Sequence, residues 1–339
     1  MRRKHKRSGR PVAAVAQTKS GDMSAISLIT PSYRYDRERC ELLCESVDRF
    51  VSGFARHYLV VADHDVPLFA AFNRGRREVI AASTLLPSWL KPMPSFVQRG
   101  RRRYWWSLRA RPVSGWHVQQ FVKIAAARMA AEEVVCLVDS DVVFFRPFDL
   151  GPFSDPGRTP LYIRAGEVAA TAPMHATWIQ TTHRLLGLGT PSFPADDFIG
   201  HVIFWNRESV RAMTDRIEAV TGRSWPEALC RAHAVSEYML YGYRVCNDAS
   251  LLSQHICTGE TPCLSYWDTE PLTDPALERL LGSAAERHAA ISVQSISNTP
   301  LARVRAVLDR LKGAEFAGIQ PWARIPQKVG AGETATVLS

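Results

Sequence analysis

Five apolar residues, 134–138, precede Asp139, Ser140 and Asp141, and a second apolar run, 142–145, follows them. An apolar run of this length predicts a buried β-strand, because strands inside an α/β sheet carry apolar side chains on both faces. Open α/β sheets bind their ligands at the carboxyl ends of the strands. The segment therefore predicts an α/β protein with a functional site at Asp139 and Asp141.

Short apolar runs and longer amphipathic segments alternate along the rest of the chain, as in an α/β domain. We expect further strands at residues 26–29, 57–62, 78–81, 201–205 and 291–294. We expect helices at residues 36–50, 117–131, 208–221, 234–241 and 301–312. Asn206 and Gly222 suit the two ends of the third helix, and Gly242 would end the fourth. A proline-rich stretch with Pro87 and Pro92 predicts a loop or lid.

Positive charge is concentrated in two segments of the chain. The 339 residues include 42 Lys and Arg against 33 Asp and Glu, a net charge of +9. Residues 1–10 carry six basic residues and residues 99–111 six arginines, with no acid in either, so the remainder has a charge of −3. This balance argues against a nucleic-acid-binding protein. Either segment could meet an anionic membrane or substrate. The second, with Tyr104, Trp105 and Trp106, could instead bind a glycan acceptor, a lipid-linked acceptor or nothing.

Cysteine usage and hydropathy predict the compartment. Seven cysteines, an odd number without a CxxC pair, argue against a zinc module or disulfide framework and for a reducing compartment. The apolar stretch 11–16 is too short for a signal peptide, and no run is long enough to span a bilayer. We expect a cytoplasmic protein whose basic tail, residues 1–23, is disordered and able to touch the inner face of the membrane.

The two aspartates that follow the strand suit a divalent cation. In an extended chain they face the same side, and two charges about 5.5 Å apart repel by roughly 3 kcal/mol at an effective dielectric of about 20. A cation offsets this repulsion, and carboxylate oxygens suit Mg²⁺ or Mn²⁺. In the alternative interpretation, one aspartate caps a turn and the other is solvated.

Five phrases, in order between residues 29 and 245, carry a family resemblance: ITPSYRYD, HVQQFVKIAAA, LVDSDVVFFRPF, IGHVIFWNRESV and SEYMLYGYRV. With them the chain resembles the GT-A class of glycosyltransferases and, more closely, an uncharacterised bacterial group, domain of unknown function family 6492. The resemblance implies one GT-A-like (Rossmann-like) α/β domain over residues 24–313, with a mixed central sheet flanked by helices. Residues 314–339 would form a flexible tail.

The resemblance also implies an activity and its ligands. It implies a metal-dependent glycosyltransferase that moves a sugar from a UDP- or GDP-sugar to a hydroxyl of a glycan, lipid-linked or protein acceptor. Asp139 and Asp141 would hold Mn²⁺ or Mg²⁺ against the diphosphate. The nucleotide would lie against Thr30, Pro31, Ser32 and Asp63. From the residues alone, the first three form an ordinary loop and Asp63 is a strand-end cap.

Lys123 lies one helical turn after Gln119, so their side chains share a helix face, and we expect both to contact the donor nucleotide. Lys123 is the only cation between residues 117 and 127 and suits a phosphate of the donor. The alternative is a solvated lysine whose stem lies along the surface.

Glu237 is the first candidate for a group that acts on the acceptor. Aromatic and aliphatic residues flank it, and the resemblance implies an acidic residue late in the fold. Its alternative role is a first-turn glutamate behind a Ser236 cap. Asp196 and Asp197 compete for the role, with Asp197 as the second candidate.

Histidines near the predicted site carry less information. We expect His201 to be a buried, hydrogen-bonded side chain and not a metal ligand. A third ligand is left open among His255, His288 and Gln294.

Two other functional classes fit parts of the sequence. VVCLVDSDVV matches the strand of haloacid-dehalogenase-like phosphatases, in which the first aspartate is a nucleophile. In that fold the strand comes first, whereas here at least two strands and two helices precede it. The other alternative is a non-catalytic carbohydrate- or anion-binding protein.

Overall fold

The computed structural model describes residues 26–94, 103–232 and 234–311. Both predicted tails and residues 99–102 of the arginine-rich segment lie outside the described residues. The strands are β1 Ile26–Pro31, β2 Val51–Ser52, β3 Phe54–Val61, β4 Arg77–Ala81, β5 Lys91–Pro92, β6 Tyr104–Trp106, β7 Val113–Ser114, β8 Val134–Leu137, β9 Val142–Phe144, β10 Phe148–Asp149, β11 Thr159–Tyr162, β12 Arg164–Val168, β13 Ala195–Asp197, β14 Ile203–Asn206, β15 His255–Thr258, β16 Cys263–Tyr266 and β17 Ala290–Val293.

The helices are α1 Arg37–Phe50, α2 Val66–Phe69, α3 Gly115–Met129, α4 Pro173–Leu186, α5 Arg207–Thr221, α6 Trp225–Ala232, α7 Glu237–Cys246, α8 Ala249–Leu252, α9 Asp274–Gly282 and α10 Leu301–Leu311. Strands and helices alternate through one α/β domain with mixed sheets, as the sequence predicts. Among the residues that the structure describes, no helix has both the length and the apolar character needed to cross a bilayer.

A five-stranded sheet in the order β14-β8-β1-β3-β4 forms the centre of the domain. β8, β1, β3 and β4 run parallel, and β14 runs antiparallel to β8 at one edge. The parallel strands end at the same edge of the sheet, so the segments that follow β1, β3 and β8 meet there. The fold thus brings three distant stretches of sequence to one site.

Both faces of this sheet are covered, which explains the continuous apolar runs of its strands. Leu28 packs in a cluster with Leu43 of α1, whereas the next residue, Ile29, packs in a cluster with Phe121 of α3. Successive side chains of a strand point to opposite faces, so each apolar strand packs against helices on both faces of the sheet. The sheet is therefore rigid where it carries the site.

The predicted helix at residues 208–221 is confirmed as α5. The side chain of Asn206 accepts a hydrogen bond from the Ser209 amide, and Gly222 ends the helix with a positive φ of 64°. The predictions around α1, α3, β1, β3, β4, β8, β17 and α10 are also confirmed within a few residues. The strand expected at residues 201–205 begins later, at Ile203, and leaves His201 in the preceding bend.

For the helix predicted at residues 234–241, the positions of both ends are wrong. It spans Glu237–Cys246 as α7 and continues through Gly242. A Cβ at Gly242 would overlap the aromatic ring of Phe198. The glycine therefore permits a close approach between two elements and does not terminate the helix.

The stretch predicted as a loop or lid contains a small sheet in its described part. β5, β6 and β7 pair antiparallel, with Trp105 of β6 buried in the main core. Helices α4, α6 and α9 were not predicted. All seven cysteines are free, so the expectation of no disulfide framework is confirmed.

Candidate functional site

The Asp139-Ser140-Asp141 segment forms a tight turn, the DSD turn, between β8 and β9. The Val142 amide donates to the Asp139 carbonyl at 3.1 Å, which closes the turn. The extended geometry expected for the pair is therefore wrong. Both carboxylates nevertheless act on the same neighbour, His201, through their charge. The turn lies at the carboxyl end of a central strand, as predicted.

Lys123 of α3 joins the first aspartate to the start of α7. Its Nζ lies 2.8 Å from Oδ1 of Asp139 and 3.0 Å from Oε1 of Glu237. It also donates to the Tyr238 hydroxyl at 3.0 Å. The side chains of Lys123 and Glu237 are 7% and 5% exposed, whereas Asp139 is 30% exposed. The structure thus gathers three predicted residues into one buried network, with Asp139 on its open side.

The charges of this network reinforce one another. Burial alone would lower the pKa of Lys123, but attraction from Asp139, the Tyr238 hydroxyl and Glu237 raises that pKa well above its ordinary value. Burial alone would raise the pKa of Asp139, but the Lys123 charge outweighs burial and lowers it. Both groups are therefore ionised at neutral pH.

Asp141 has different surroundings. Burial raises its pKa, repulsion from Asp139 adds to the rise, and His201 and Arg39 oppose it. Its Oδ1 atom is buried and accepts no hydrogen bond from another described residue. Oδ1 of Asp141 can therefore accept a further contact, and the carboxylate of Asp139 lies in the same turn.

His201 is buried and hydrogen bonded, as predicted. Its Nδ1 lies 2.9 Å from the Ser265 hydroxyl and its Nε2 lies 3.3 Å from that of Ser292. Burial lowers the pKa of His201, against the attraction of Asp141 and Asp139. Its ring stacks on Trp267 at a centroid distance of 4.5 Å. Both ring nitrogens contact hydroxyl groups, as expected of a buried, hydrogen-bonded histidine.

A cavity of about 570 Å³ lies across the ends of β1 and β3. Its lining includes Pro31, Ser32 and Gln119, three of the residues predicted to contact a nucleotide. Lys123, Asp139 and Asp141 do not line this cavity, and its links to the charged network run along the chain. Gln119 lies one helical turn before Lys123, and Ser295 of the lining follows β17, whose Val293 amide donates to the Asp141 carbonyl at 3.4 Å. The volume is in the range of small-molecule binding sites.

Four of the predicted donor contacts lie away from the cavity lining: Lys123 and Asp139 belong to the charged network, and Thr30 and Asp63 lie elsewhere. Thr30 is fully buried in β1, with its hydroxyl 3.0 Å from Nε2 of His57. Asp63 is exposed and accepts the Ser83 amide at 3.1 Å, the capping role of the alternative interpretation. Asp65, two residues later, lines the cavity instead and binds Nε of Arg34 at 2.7 Å.

The competing acidic residues lie in different surroundings. Asp197 is buried in β13, and its Oδ1 accepts the Ile199 amide at 3.0 Å. Burial raises the pKa of Asp197, and the nearest charges acting on it are those of His175 and Arg164. Asp196 accepts the Gly166 amide at 3.0 Å. Neither residue joins the Lys123 network through a described contact.

The candidates for a third metal ligand are also dispersed. His255 binds the Tyr241 hydroxyl and the Leu251 carbonyl through its two nitrogens. His288 accepts the Ala285 amide. Gln294 directly follows Val293, the residue of β17 whose amide contacts the Asp141 carbonyl. Of the three candidates it is therefore the nearest in sequence to a residue that contacts the turn. Within residues 26–94, 103–232 and 234–311, no group of three His, Cys, Asp or Glu side chains is placed to hold a metal ion.

The donor set of the turn nevertheless fits Mg²⁺ or Mn²⁺ in one coordination mode. Mg²⁺ binds through one or two carboxylates and completes its shell with water and substrate phosphates. Asp139 and Asp141 supply two carboxylates, and Oδ1 of Asp141 is unfilled. The residues present thus suit a cation that is held jointly with a phosphate ligand and not by the protein alone.

Sequence reasoning missed Tyr238, Asp65 and Trp267. Tyr238 lies 115 positions from its partner Lys123 in the sequence, so no spacing links the two. Asp65 could have been considered with Asp63, because both follow β3 within four residues. No local pattern indicates that Trp267 stacks on His201.

Family comparison confirms the closer of the two resemblances, the one to the uncharacterised family. The model of a family of unknown function, DUF6492, matches residues 23–315. The chain belongs to DUF6492. The matched range includes the DSD turn, Lys123, Glu237 and every residue of the cavity lining. No curated protein matches the chain.

Proposed function

We propose that this DUF6492 member is a metal-dependent glycosyltransferase that uses a nucleotide-sugar donor. The observation that carries the proposal is the position of the DSD turn. Two carboxylates, Asp139 and Asp141, follow the central strand β8 at the sheet edge where a cavity of about 570 Å³ crosses the ends of β1 and β3. The sequence resemblance to GT-A enzymes supports the same activity.

The donor would occupy the cavity with its diphosphate toward the turn. Pro31, Ser32 and Gln119 would contact the nucleotide, and the carboxylates of Asp139 and Asp141 would hold the cation. When bound, the cation supplies positive charge to the diphosphate as its bond to the sugar breaks.

Lys123 has a different role in this proposal from the direct phosphate contact that its sequence position suggested. Its ammonium is buried between Asp139 and Glu237. It keeps Asp139 ionised and fixes Oδ1, which leaves Oδ2 for the cation. The pairing places a charged, oriented carboxylate at the site before any ligand arrives, and such preorganisation is the main source of electrostatic catalysis.

Glu237 is the candidate for the acceptor side. Lys123 binds its Oε1, so Oε2 would take the proton from the attacking hydroxyl, or would orient that hydroxyl while the leaving diphosphate takes the proton. The acceptor oxygen bonds to the anomeric carbon, and the bond from that carbon to the diphosphate oxygen breaks with its electron pair on the diphosphate. Asp197 is the second candidate for this role.

A screen of nucleotide sugars tests the proposal. Purified protein is incubated with UDP- and GDP-sugars, with Mn²⁺ or with EDTA, and release of nucleoside diphosphate is measured. We expect metal-dependent release for at least one donor, its loss in Asp141→Asn, and full activity in Asp215→Asn. Asp215 is a matched control because its carboxylate is exposed on α5.

Two other outcomes would each reject the proposal. Hydrolysis of a phosphate monoester without turnover of any nucleotide sugar would favour the phosphatase class. Binding of nucleotide that is equal in wild type, in Asp141→Asn and in EDTA would favour a non-catalytic anion-binding protein.

A further inference from the structure

An exposed apolar turn projects from the small sheet formed by β5, β6 and β7. Leu108 is 96% exposed, and Trp106, two residues earlier, is 41% exposed. The next most exposed large apolar side chains in the described part of the chain, Met174 and Ile296, are each 57% exposed. Leu108 therefore has the largest apolar surface to gain from contact with a partner.

The backbone of this turn is fixed by side-chain contacts. The Ser107 hydroxyl accepts the amides of Arg109 and Ala110, both at 3.1 Å. The guanidinium of Arg109 lies 5.2 Å from the ring centre of Trp89. Leu108 is thus held outward on a defined turn.

Positive charge surrounds the turn. Three guanidinium groups, those of Arg109, Arg223 and Arg231, share one carboxylate, Glu227, at 3.9, 3.0 and 3.0 Å. All three arginine side chains are about half exposed, whereas Glu227 is 14% exposed. Arg111 adds a further exposed cation. One carboxylate cannot neutralise these groups, so the surface facing solvent is net positive.

We propose that this surface, formed by Trp106, Leu108, Arg109, Arg111, Arg223 and Arg231, docks the protein on an anionic lipid bilayer. A bilayer presents negative headgroups above an apolar interior, and tryptophan favours the boundary between them. Leu108 would enter the acyl boundary while the arginines contact lipid phosphates. An acidic polymer would bind the arginines but would give Leu108 no apolar environment. The inference does not depend on the proposed activity.

Docking in this orientation would also place the cavity near the membrane. The cavity lining includes Tyr104 and Trp105 of β6 and the residue before that strand, Arg103. Part of the cavity lining and part of the docking surface thus belong to one strand, β6, and the residues next to it.

Vesicle co-sedimentation of the full-length chain tests the proposal. The vesicles are phosphatidylcholine alone or phosphatidylcholine with phosphatidylglycerol, at several salt concentrations. The apolar variants are Leu108→Ser and Trp106→Ser/Leu108→Ser, and the charge variant is Arg223→Gln/Arg231→Gln. Met174→Ser is the apolar control, and Arg56→Gln/Arg184→Gln is the charge control because both arginines are exposed elsewhere. Every variant retains the basic residues 1–10, so their contribution to binding is constant.

We expect the wild type to bind phosphatidylglycerol vesicles more tightly than neutral ones, with an affinity that falls as salt rises. Leu108→Ser should weaken binding about tenfold, and the double apolar variant more. The charge variant should weaken binding to anionic vesicles and reduce the salt dependence, while both controls behave as wild type. Leu108 is almost wholly exposed, so Leu108→Ser should fold normally, as circular dichroism can verify.

The proposal is overturned if the wild type does not bind phosphatidylglycerol vesicles, or if the apolar variants bind as tightly as wild type. It is also overturned if the protein binds a soluble acidic polysaccharide and no vesicle, since the surface would then recognise an acidic polymer.

Discussion

The ammonium of Lys123 lies 2.8 Å from Oδ1 of Asp139, so the first carboxylate of the DSD turn has its counter-charge within the protein. Oδ1 of the second carboxylate, Asp141, accepts no hydrogen bond from another residue that the structure describes, and burial is the first cause of the raised pKa of this group. The two aspartates look equivalent in the sequence. The structure lowers the pKa of Asp139 through the Lys123 charge and raises the pKa of Asp141 through burial.

Lys123→Met is expected to destabilise the protein by about 3–5 kcal/mol, since it leaves the buried carboxylate of Glu237 and the partly exposed one of Asp139 without their counter-charge. Urea denaturation measures the free energy of unfolding. Lys91→Met, at an exposed lysine, should change it by less than about 0.5 kcal/mol. Lys123→Met/Glu237→Gln should be more stable than Lys123→Met alone, because one unpaired charge is removed. A loss below about 1 kcal/mol in Lys123→Met would contradict the network.

Metal binding is expected to weaken as pH falls through a range above the ordinary pKa of an aspartate. The proton must leave Asp141 before a cation can bind, and burial raises the pKa of that carboxyl. Calorimetric titration with Mn²⁺ and a nucleoside diphosphate at several pH values measures the affinity. A pH profile unchanged in Asp141→Asn would show that another group controls it.

Asp141→Asn is expected to stabilise the metal-free protein at neutral pH. A carboxyl with a raised pKa binds its proton more tightly in the folded than in the unfolded state, so ionising it destabilises the fold as pH rises. Thermal unfolding in EDTA compares the two proteins. The difference should disappear when pH falls below the ordinary pKa of aspartate. A variant that is less stable than wild type at neutral pH would contradict this account.

Glu237→Gln is expected to reduce turnover by about 10²- to 10⁴-fold while donor affinity survives, the usual loss for a positioned base. Steady-state kinetics with varied acceptor separates two roles. A fall in kcat indicates proton removal, whereas a rise in acceptor KM indicates that Glu237 orients the hydroxyl. Unchanged kinetics in Glu237→Gln together with a loss in Asp197→Asn would transfer the role to Asp197.

Gly242→Ala is expected to destabilise the protein by about 1–3 kcal/mol, because the added methyl group meets the ring of Phe198 in a packed core. Gly282→Ala, at the end of α9, is the matched control. A Cβ there meets nothing within 4 Å, so this variant should be neutral or slightly stabilising. Equal melting temperatures for the two variants would contradict the close approach.

The local pattern of the sequence predicts much of the fold. The apolar run of β8, the amphipathic period of α1 and the Asn206 and Gly222 signals of α5 depend on neighbours within a few residues. The prediction failed at Gly242 because a glycine can either end a helix or leave room for an aromatic ring that packs against the helix. Only the position of Phe198, 44 residues away, distinguishes these uses.

The sequence by itself determined that two aspartates follow a buried strand of an α/β protein, because apolar periodicity and strand ends are local properties. The tertiary structure decided the contacts of each carboxylate and the direction in which its pKa shifts. Lys123, Glu237, His201 and the DSD turn come from separate elements that meet at one sheet edge, and a pKa depends on burial and on charges within a few ångströms. Those distances arise only when the strands pair, so the roles within the site could not be read from spacing along the chain.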